Sequence, residues 1–438
     1  MWFSTVSKAF LGLSILSGVT LAAQLNRALT TTALSVNGRF IVDTSGQRVK
    51  LRCLNWAGAD KTKIPEGLQY QPVDATALWI FENGFNCVRL TYSMDMALDP
   101  TQTVHAAWVQ AAGSTAYLPE LMDTFSTAVG KNPWLQNAST LEAYSAVISA
   151  LGDHNVMVIM DNHNSHASWC CSLEDGNGWW DTDAVYNSTN SRYFNTARWL
   201  SGLQFMANFS LSHSNVVGIS LRNEIRRGEN QDVDGTHAAW WDNIPVAAAT
   251  VHAGNPDALI MIGGVDYFND FSFLKTKPLN RSEFDNKVVY EYHTYSWGSD
   301  AFGDAYVTSS TQTNCTPFNT YLDEKVGYLL EEGKAYTGPV WMGEFGWSQV
   351  PQNDTQEEVY KTCLIEWMSN NDMDWSLWAL QGSYYFRTKE VDMDETFGIL
   401  NHNWTNFRYP GFLNKIGKMW ITNINVEVLD GRQNLLLP

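Results

Sequence analysis

Residues 216–228 read VVGISLRNEIRRG, an apolar, partly β-branched run that stops at Ser220-Leu221-Arg222-Asn223-Glu224. A strand covered on both faces reads as a continuous apolar run, and its C-terminal tip is where an α/β fold presents chemistry to solvent. An amide and a carboxylate side by side at such a tip are either ordinary loop residues or part of a site. Seven further short apolar runs bear on the choice: VKLRCLNW (49–56), NCVRLTY (86–92), VMVIMDNH (156–163), ALIMIGG (258–264), VVYEYHTY (288–295), PVWMGEFGW (339–347) and WSLWAL (375–380). Helical stretches alternate with them, among them DATALWIFENG (74–84), LEAYSAVISALGDH (141–154) and EEVYKTCLIEWMSNN (357–371). Eight β-then-α units in one undivided chain predict an α/β fold, a single (β/α)8 TIM barrel. A doubly wound sheet is the alternative, but no GxGxxG phosphate loop follows the first run.

Ahead of the first unit, LSVNGRFIVDTSGQRVKLR alternates apolar and polar residues around Asn37-Gly38 and Ser45-Gly46. That is the signature of a short N-terminal β-hairpin, expected to cover the bottom of the barrel. The second unit is long, and residues 96–140 are expected to border the active face.

In a barrel the strand tips converge on one face, where catalytic groups are expected. The tips are, in order, Asn55 and Trp56; Arg89; Asp161, Asn162 and His163; Asn223 and Glu224; His293 and Tyr295; Glu344; and Trp378. Each has a bland explanation alone, a structural histidine or a barrel salt bridge, but a full set at the tips by accident is far less common. The two glutamates fall on units four and seven, from which carboxyls can meet across one cavity. Two carboxyls flanking a bond are the minimum equipment for glycoside hydrolysis, one to protonate the leaving oxygen and one to attack or guide water. Their environments must differ so that one stays protonated, and Glu344 would need Arg89 and Tyr295 close by to remain ionised and oriented. Competing chemistry is weakly represented. No CxxC or CxxH spacing supports zinc, and the turn at Gly382-Ser383 lacks the flanking glycine of a nucleophile elbow.

The bulk numbers agree. The 438 residues carry a formal charge of −18, which argues against nucleic acid or an anionic membrane as partner. Aromatics make up 13% of the chain, including 19 Trp. Part of these serve the core, while others suit the apolar faces of sugar rings. Trp179-Trp180, Trp240-Trp241, Trp297 and Trp347 are candidate sugar platforms, with at most one of each adjacent pair on a given surface.

The first 23 residues, one Lys followed by an apolar stretch ending in Ala22-Ala23, read as a secretory signal peptide, with a signal anchor as the alternative. Secretion permits disulfides among Cys53, Cys87, Cys170, Cys171, Cys315 and Cys363. Cys53 and Cys87 sit in apolar runs as buried thiols would, and the other four are the readier bridge formers. Sequons occur at Asn137, Asn187, Asn208, Asn280, Asn314, Asn353 and Asn403. Residues 24–420 form the expected catalytic domain, and 421–438 are a tail without a clear pattern.

The ordered set Arg89 in CVRLTY, His163 in MDNHNS, Asn223-Glu224, His293 and Tyr295 in EYHTYSW, Glu344 in WMGEFGW, and Trp378 resembles glycoside hydrolase family 5, the cellulase family. The resemblance extends from about residue 35 to about residue 420 and is specific as an ordered set. SLRNE and WALQGSYYFR look more like a less characterised plant and fungal branch. The resemblance implies a retaining two-step mechanism on β-linked sugars, with Glu224 as acid/base and Glu344 as nucleophile. It places Arg89, His163, Asn223, His293, Tyr295 and Trp378 around the substrate; Trp56 joins them as a tip residue. It implies no cofactor and no metal. Many members carry proline after the acid/base, where Ile225 and then Arg226 and Arg227 stand here.

The expected function is therefore a secreted, extracellular, monomeric retaining glycosidase acting on a β-linked oligo- or polysaccharide, endo-β-1,4-glucanase-like, with no nucleic-acid partner and no membrane after signal removal. A β-mannanase or a glycolipid- or diglycoside-specific β-glycosidase is the alternative within the class. A carbohydrate-binding barrel that has lost catalysis is the alternative outside it, and it should lack one of the carboxylates. A metal-dependent hydrolase would need Asp161, His163 and His166 to converge with further ligands.

Overall fold

The chain enters the fold through an antiparallel hairpin, β1 (Ser35–Asn37) and β2 (Phe40–Val42), which turns at Gly38 with φ +57°. Eight parallel strands follow: β3 (Arg52–Trp56), β4 (Cys87–Ser93), β5 (Met157–Asn164), β6 (Val216–Ser220), β7 (Leu259–Gly263), β8 (Val288–Thr294), β9 (Val340–Phe345) and β10 (Asp374–Leu377). They close in chain order, with β10 pairing both β9 and β3. All eight apolar runs are barrel strands, so the chain is a (β/α)8 TIM barrel with an N-terminal hairpin. The computed structural model describes residues 33–182, 188–227, 233–297, 314–351 and 355–420. The expected signal peptide 1–23, the tail 421–438 and the sequons at Asn187 and Asn353 lie outside the described residues.

Strand residues alternate between the barrel interior and the helix layer. Near the N-terminal end the interior is filled by Cys53, Met157, Val217, Met261 and Val289, and Leu34, Val36 and Ile41 of the hairpin segment pack onto them as a plug. Burying each aliphatic or Met side chain there contributes roughly 1.5–3 kcal/mol, so the floor under the site is apolar and close-packed. On the outside, the helix Thr140–Asp153 starts at a capping box, with the Ser139 hydroxyl and the Glu142 carboxylate each accepting from the other's backbone N–H. The helices Val73–Glu82 and Thr355–Asn370 likewise fall within two residues of their expected spans.

Three expectations need correction. Cys53 and Cys87 are not free thiols: they sit at paired positions of β3 and β4 and form a disulfide, because register places both side chains on the same side of neighbouring strands. Cys315–Cys363 ties the start of the helix Thr316–Lys325 to the helix Thr355–Asn370, and Cys170 bonds its neighbour Cys171. The segment 96–140 supplies none of the cavity-lining residues. Its helices Val104–Ala112 and Leu118–Lys131 form a second core in which Trp108 and Phe125 pack near Tyr385 and Phe386. Those tyrosine and phenylalanine side chains belong to a second hairpin, β11 (Ser383–Arg387) and β12 (Glu390–Asp394), so the segment braces the loop after β10. Finally, β6 ends at Ser220, four residues short of Glu224. Beyond it, Leu221 N–H donates to Met261 O and Asn223 N–H to Asn162 O, and Glu224 itself takes φ +43°.

Candidate active site

Arg89 is the centre of the site. It lies on β4 beside Asn55 of β3 in register, faces the barrel interior, and is fully buried. Its guanidinium meets five polar neighbours. Nε donates to Glu291 at 2.9 Å, Nη1 to Asn55 at 2.9 Å and Glu344 at 3.2 Å, and Nη2 to Asn223 at 2.7 Å, while Nη2 also forms an ion pair with Asp161 at 3.0 Å. Burial works against a charge here, but the carboxylates of Asp161, Glu291, Glu344 and Glu224 outweigh it and hold the guanidinium pKa above its ordinary value. One fixed cation thus spaces several acidic groups around one cavity.

The cavity has a volume of about 540 Å³ at the C-terminal mouth of the barrel. Glu344, on β9, accepts from the Tyr295 hydroxyl at 2.8 Å and from Arg89. Burial pushes its carboxyl above the usual range; His293 pulls it back, the Glu224 carboxylate adds to the rise, and Arg89 opposes it. Tyr295 is raised well above an ordinary phenol by burial and by Glu344 and Glu224, so it stays a proton-bearing donor. Glu224 Oε1 lies 3.2 Å from His293 Nδ1, whose other nitrogen is 3.4 Å from Glu291. A carboxylate oxygen of Glu224, one of Glu344 and a ring nitrogen of His293 all lie within 4.8 Å of one another. His163 Nδ1 meets Asp161 at 2.7 Å, and its ring stacks on Trp378 at 5.8 Å. Burial would raise Asp161, but Arg89 and His163 bring it below the ordinary aspartate value.

His293 carries a pH dependence. Burial lowers its pKa, yet Glu344, Glu224 and Glu291 together push it up to about 9 from 6.5. The folded state therefore holds a proton that the unfolded chain has lost. The stabilisation is complete below the unfolded value and disappears as pH rises through about 9. Thermal melts at pH 6 and pH 9 should show a larger drop for the wild type than for His293→Gln; equal drops would exclude this coupling.

Arg226 explains what stands in place of proline after the acid/base position. Its Nη1 donates to Glu224 O at 2.8 Å, Nε to Ser172 O at 2.9 Å, and Nη2 reaches Asp175. The backbone turn at Glu224 is thereby fastened to the loop after β5. Arg222, two residues before Glu224, is buried, donates to Asn177 O at 2.6 Å and stacks over Phe194 at 4.1 Å.

Of the sequence-predicted residues, Glu224, Glu344, His163, Asn223, His293, Tyr295 and Trp378 line the cavity, and Arg89 holds them from beneath. Trp56 does not reach it. Alternation along β3 turns Asn55 inward and Trp56 outward, where its Nε1 donates to Glu66 O at 2.9 Å beside Trp404. Among the candidate platforms, Trp297 is exposed and lines the cavity, stacked on Tyr295 at 4.6 Å. Trp179, Trp180, Trp240 and Trp347 are buried. His166 turns to Asp95 while His163 turns to Asp161, so the two do not converge for a metal. Sequence reading missed Trp169, the Cys170–Cys171 pair, Tyr267, Arg387, Glu395 and the supporting Glu291. Glu291 was findable, since alternation puts residues 291 and 293 of β8 on one face.

A closed barrel with two facing carboxylates over an arginine anchor defines a class, the barrel glycosidases. The comparisons narrow it. The cellulase family, glycosyl hydrolase family 5, matches residues 42–383. A glycosyl hydrolase 5 family protein of Chamaecyparis obtusa is 37% identical over 387 residues, covering 87% of this chain and 65% of that protein. The chain thus spans less than two thirds of that relative's length. An endoglucanase of Paenibacillus polymyxa is 22% identical, with 85% and 83% covered. Among solved structures, an endocellulase of Pyrococcus horikoshii superposes with a TM-score of 0.66 at 20% identity over 90% of this chain and all of its own. The chain belongs to the cellulase family, glycosyl hydrolase family 5.

Proposed function

We propose that the protein is a secreted retaining glycosidase that cleaves β-linked glucans by double displacement, with a β-1,4-linked chain as leading substrate. The observation that carries this reading is the closeness of the two carboxylates. Retaining enzymes hold theirs about 5–5.5 Å apart, whereas inverting enzymes leave about 6.5–9.5 Å for a water. An oxygen of Glu224 and one of Glu344 within 4.8 Å of each other favour the first spacing over the second. Glu344, oriented by Tyr295 and Arg89, attacks the anomeric carbon while Glu224 delivers its proton to the leaving oxygen. Glu224 then takes a proton from water, which displaces the glycosyl group from Glu344. Asn223, held by Arg89, faces the sugar beside Glu224, and Trp378 offers it an aromatic wall.

The glucan assignment draws on the relatives named endoglucanase and on a Pyrococcus horikoshii endocellulase crystallised with cellotetraose. Mannans, glycolipids and diglycosides are the competing substrates. The three disulfides fit an oxidising compartment, and the described sequons Asn137, Asn208, Asn280, Asn314 and Asn403 are all exposed. A panel of β-glucans, mannans, xyloglucan and aryl glycosides, with NMR of the first-formed anomer, tests the reading; an α-configured first product from a β-glycoside sinks retention. Glu224→Gln should lower kcat/KM on unactivated substrates on the order of 1,000-fold while sparing kcat/KM on aryl glycosides with good leaving groups, whose turnover then waits on the unassisted second step. Equal losses on both would remove Glu224 from the role of acid.

A further inference from the structure

The cavity is asymmetric about its catalytic centre. On the Glu224 side it is lined by Tyr267 and Asn269 of the loop after β7. On the Trp378 side a bridge crosses it. Trp169, from the loop after β5, lies with its ring centroid 3.1 Å from the Arg387 guanidinium carbon, and Arg387 comes from the hairpin after β10. Arg387 is held in turn by Glu395 at 3.1 Å, and the Trp169 ring also leans edge-on against Trp378 and Tyr384.

Both arms are fastened. The loop after β5 is pinned where Asp95 accepts from Ala167 N–H at 3.2 Å, where Asn177 accepts from Ser165 N–H at 2.9 Å, and where Arg226 grips Asp175. The hairpin is pinned where Tyr385 donates to Pro65 O at 2.8 Å and packs on Trp108 at 4.6 Å. Next to Trp169, a cleft lined among the described residues by Asp60, Thr91, His163 and Trp378 holds about 10 Å³. That admits about one water molecule, not a pyranose ring.

The catalytic roles set which end of the substrate meets this wall. The acid protonates the leaving oxygen, so the departing portion exits on the Glu224 side. The sugar that remains bonded to Glu344 lies against Trp378. Resting on the retaining mechanism proposed above, we infer that the Trp169–Arg387 bridge ends the cavity after a single sugar on the retained side. The protein then removes one residue at a time from the non-reducing end of β-linked oligosaccharides and glycosides, and does not cut within a polymer. Trp169 and Arg387 are specificity-determining wall residues with no part in the bond-breaking step.

The test uses wild-type protein and a β-linked tetrasaccharide carrying a fluorescent label at its reducing end, cellotetraose first and then any other linkage hydrolysed in the substrate panel. The first labelled product should be the trisaccharide, with free monosaccharide released in equal amount and no early fall in viscosity of the corresponding soluble polymer. A labelled mono- or disaccharide as first product, or a rapid viscosity drop, overturns the inference and leaves the retaining mechanism standing. Failure to turn over any β-glycoside overturns both. Trp169→Ala, checked for folding by circular dichroism, should raise the ratio of disaccharide to monosaccharide released about tenfold or more. An unchanged ratio in the folded variant counts against Trp169 as the wall.

Discussion

Glu344→Gln is expected to reduce turnover on the order of 10,000-fold or more, the scale on which loss of a covalent nucleophile acts. The substitution keeps the shape of the side chain and leaves an amide oxygen for Tyr295, so the melting temperature should change little. What disappears is the anion that attacks the anomeric carbon. Purified variant assayed on an aryl β-glycoside and on a glucan oligosaccharide tests this. Addition of azide should not restore a β-configured product, since no enzyme-linked intermediate can form. Hydrolysis within a few-fold of wild type would remove Glu344 from the mechanism.

Arg89→Met should be the most damaging change to the fold among the site residues. The wild-type guanidinium compensates buried Asp161, Glu291 and Glu344, and also fixes Asn55 and Asn223. Breaking a buried ion pair from one side costs about 3–5 kcal/mol, because the partner charge is left without compensation. Here three carboxylates lose the same partner. Without Arg89, which lowers the carboxyls of Asp161 and Glu344, those two recover stability by taking up protons, so the deficit relative to wild type should narrow as pH falls. Denaturant unfolding at neutral and mildly acidic pH measures both effects. A loss under 1 kcal/mol at neutral pH, independent of pH, would show that the anchor is dispensable.

Much of this site is legible in the sequence because a barrel converts a one-dimensional pattern into a ring. Once the apolar runs were recognised as strands, the polar residues ending them had to share one face. Glu224, Glu344, His163, Asn223, His293, Tyr295 and Trp378 do so. Trp56 shows where the shortcut fails. A tip has two faces, and only the register that puts Asn55 against Arg89 decides that Trp56 points outward. The Cys53–Cys87 bridge depends on the same register. The platform tryptophans show a different limit, since Trp179 and Trp180 and the exposed Trp297 are alike in composition and differ only in what packs over them.

The sequence alone determined the barrel, its plugging hairpin and the pairing of two glutamates across its mouth, because strand period and strand order are local properties that closure turns into position. Tertiary structure alone decided how far the cavity extends. Trp169 and Arg387 lie 218 positions apart by their numbers, in loops with no periodic signature, and nothing local says that they meet. Their contact follows from how two loops are tied down: one by Arg226 and Asp95, the other by a hairpin seated on the helices of residues 104–131. Loop length and anchoring are set by packing between distant segments, and that is where the choice between an open cleft and a closed pocket resides.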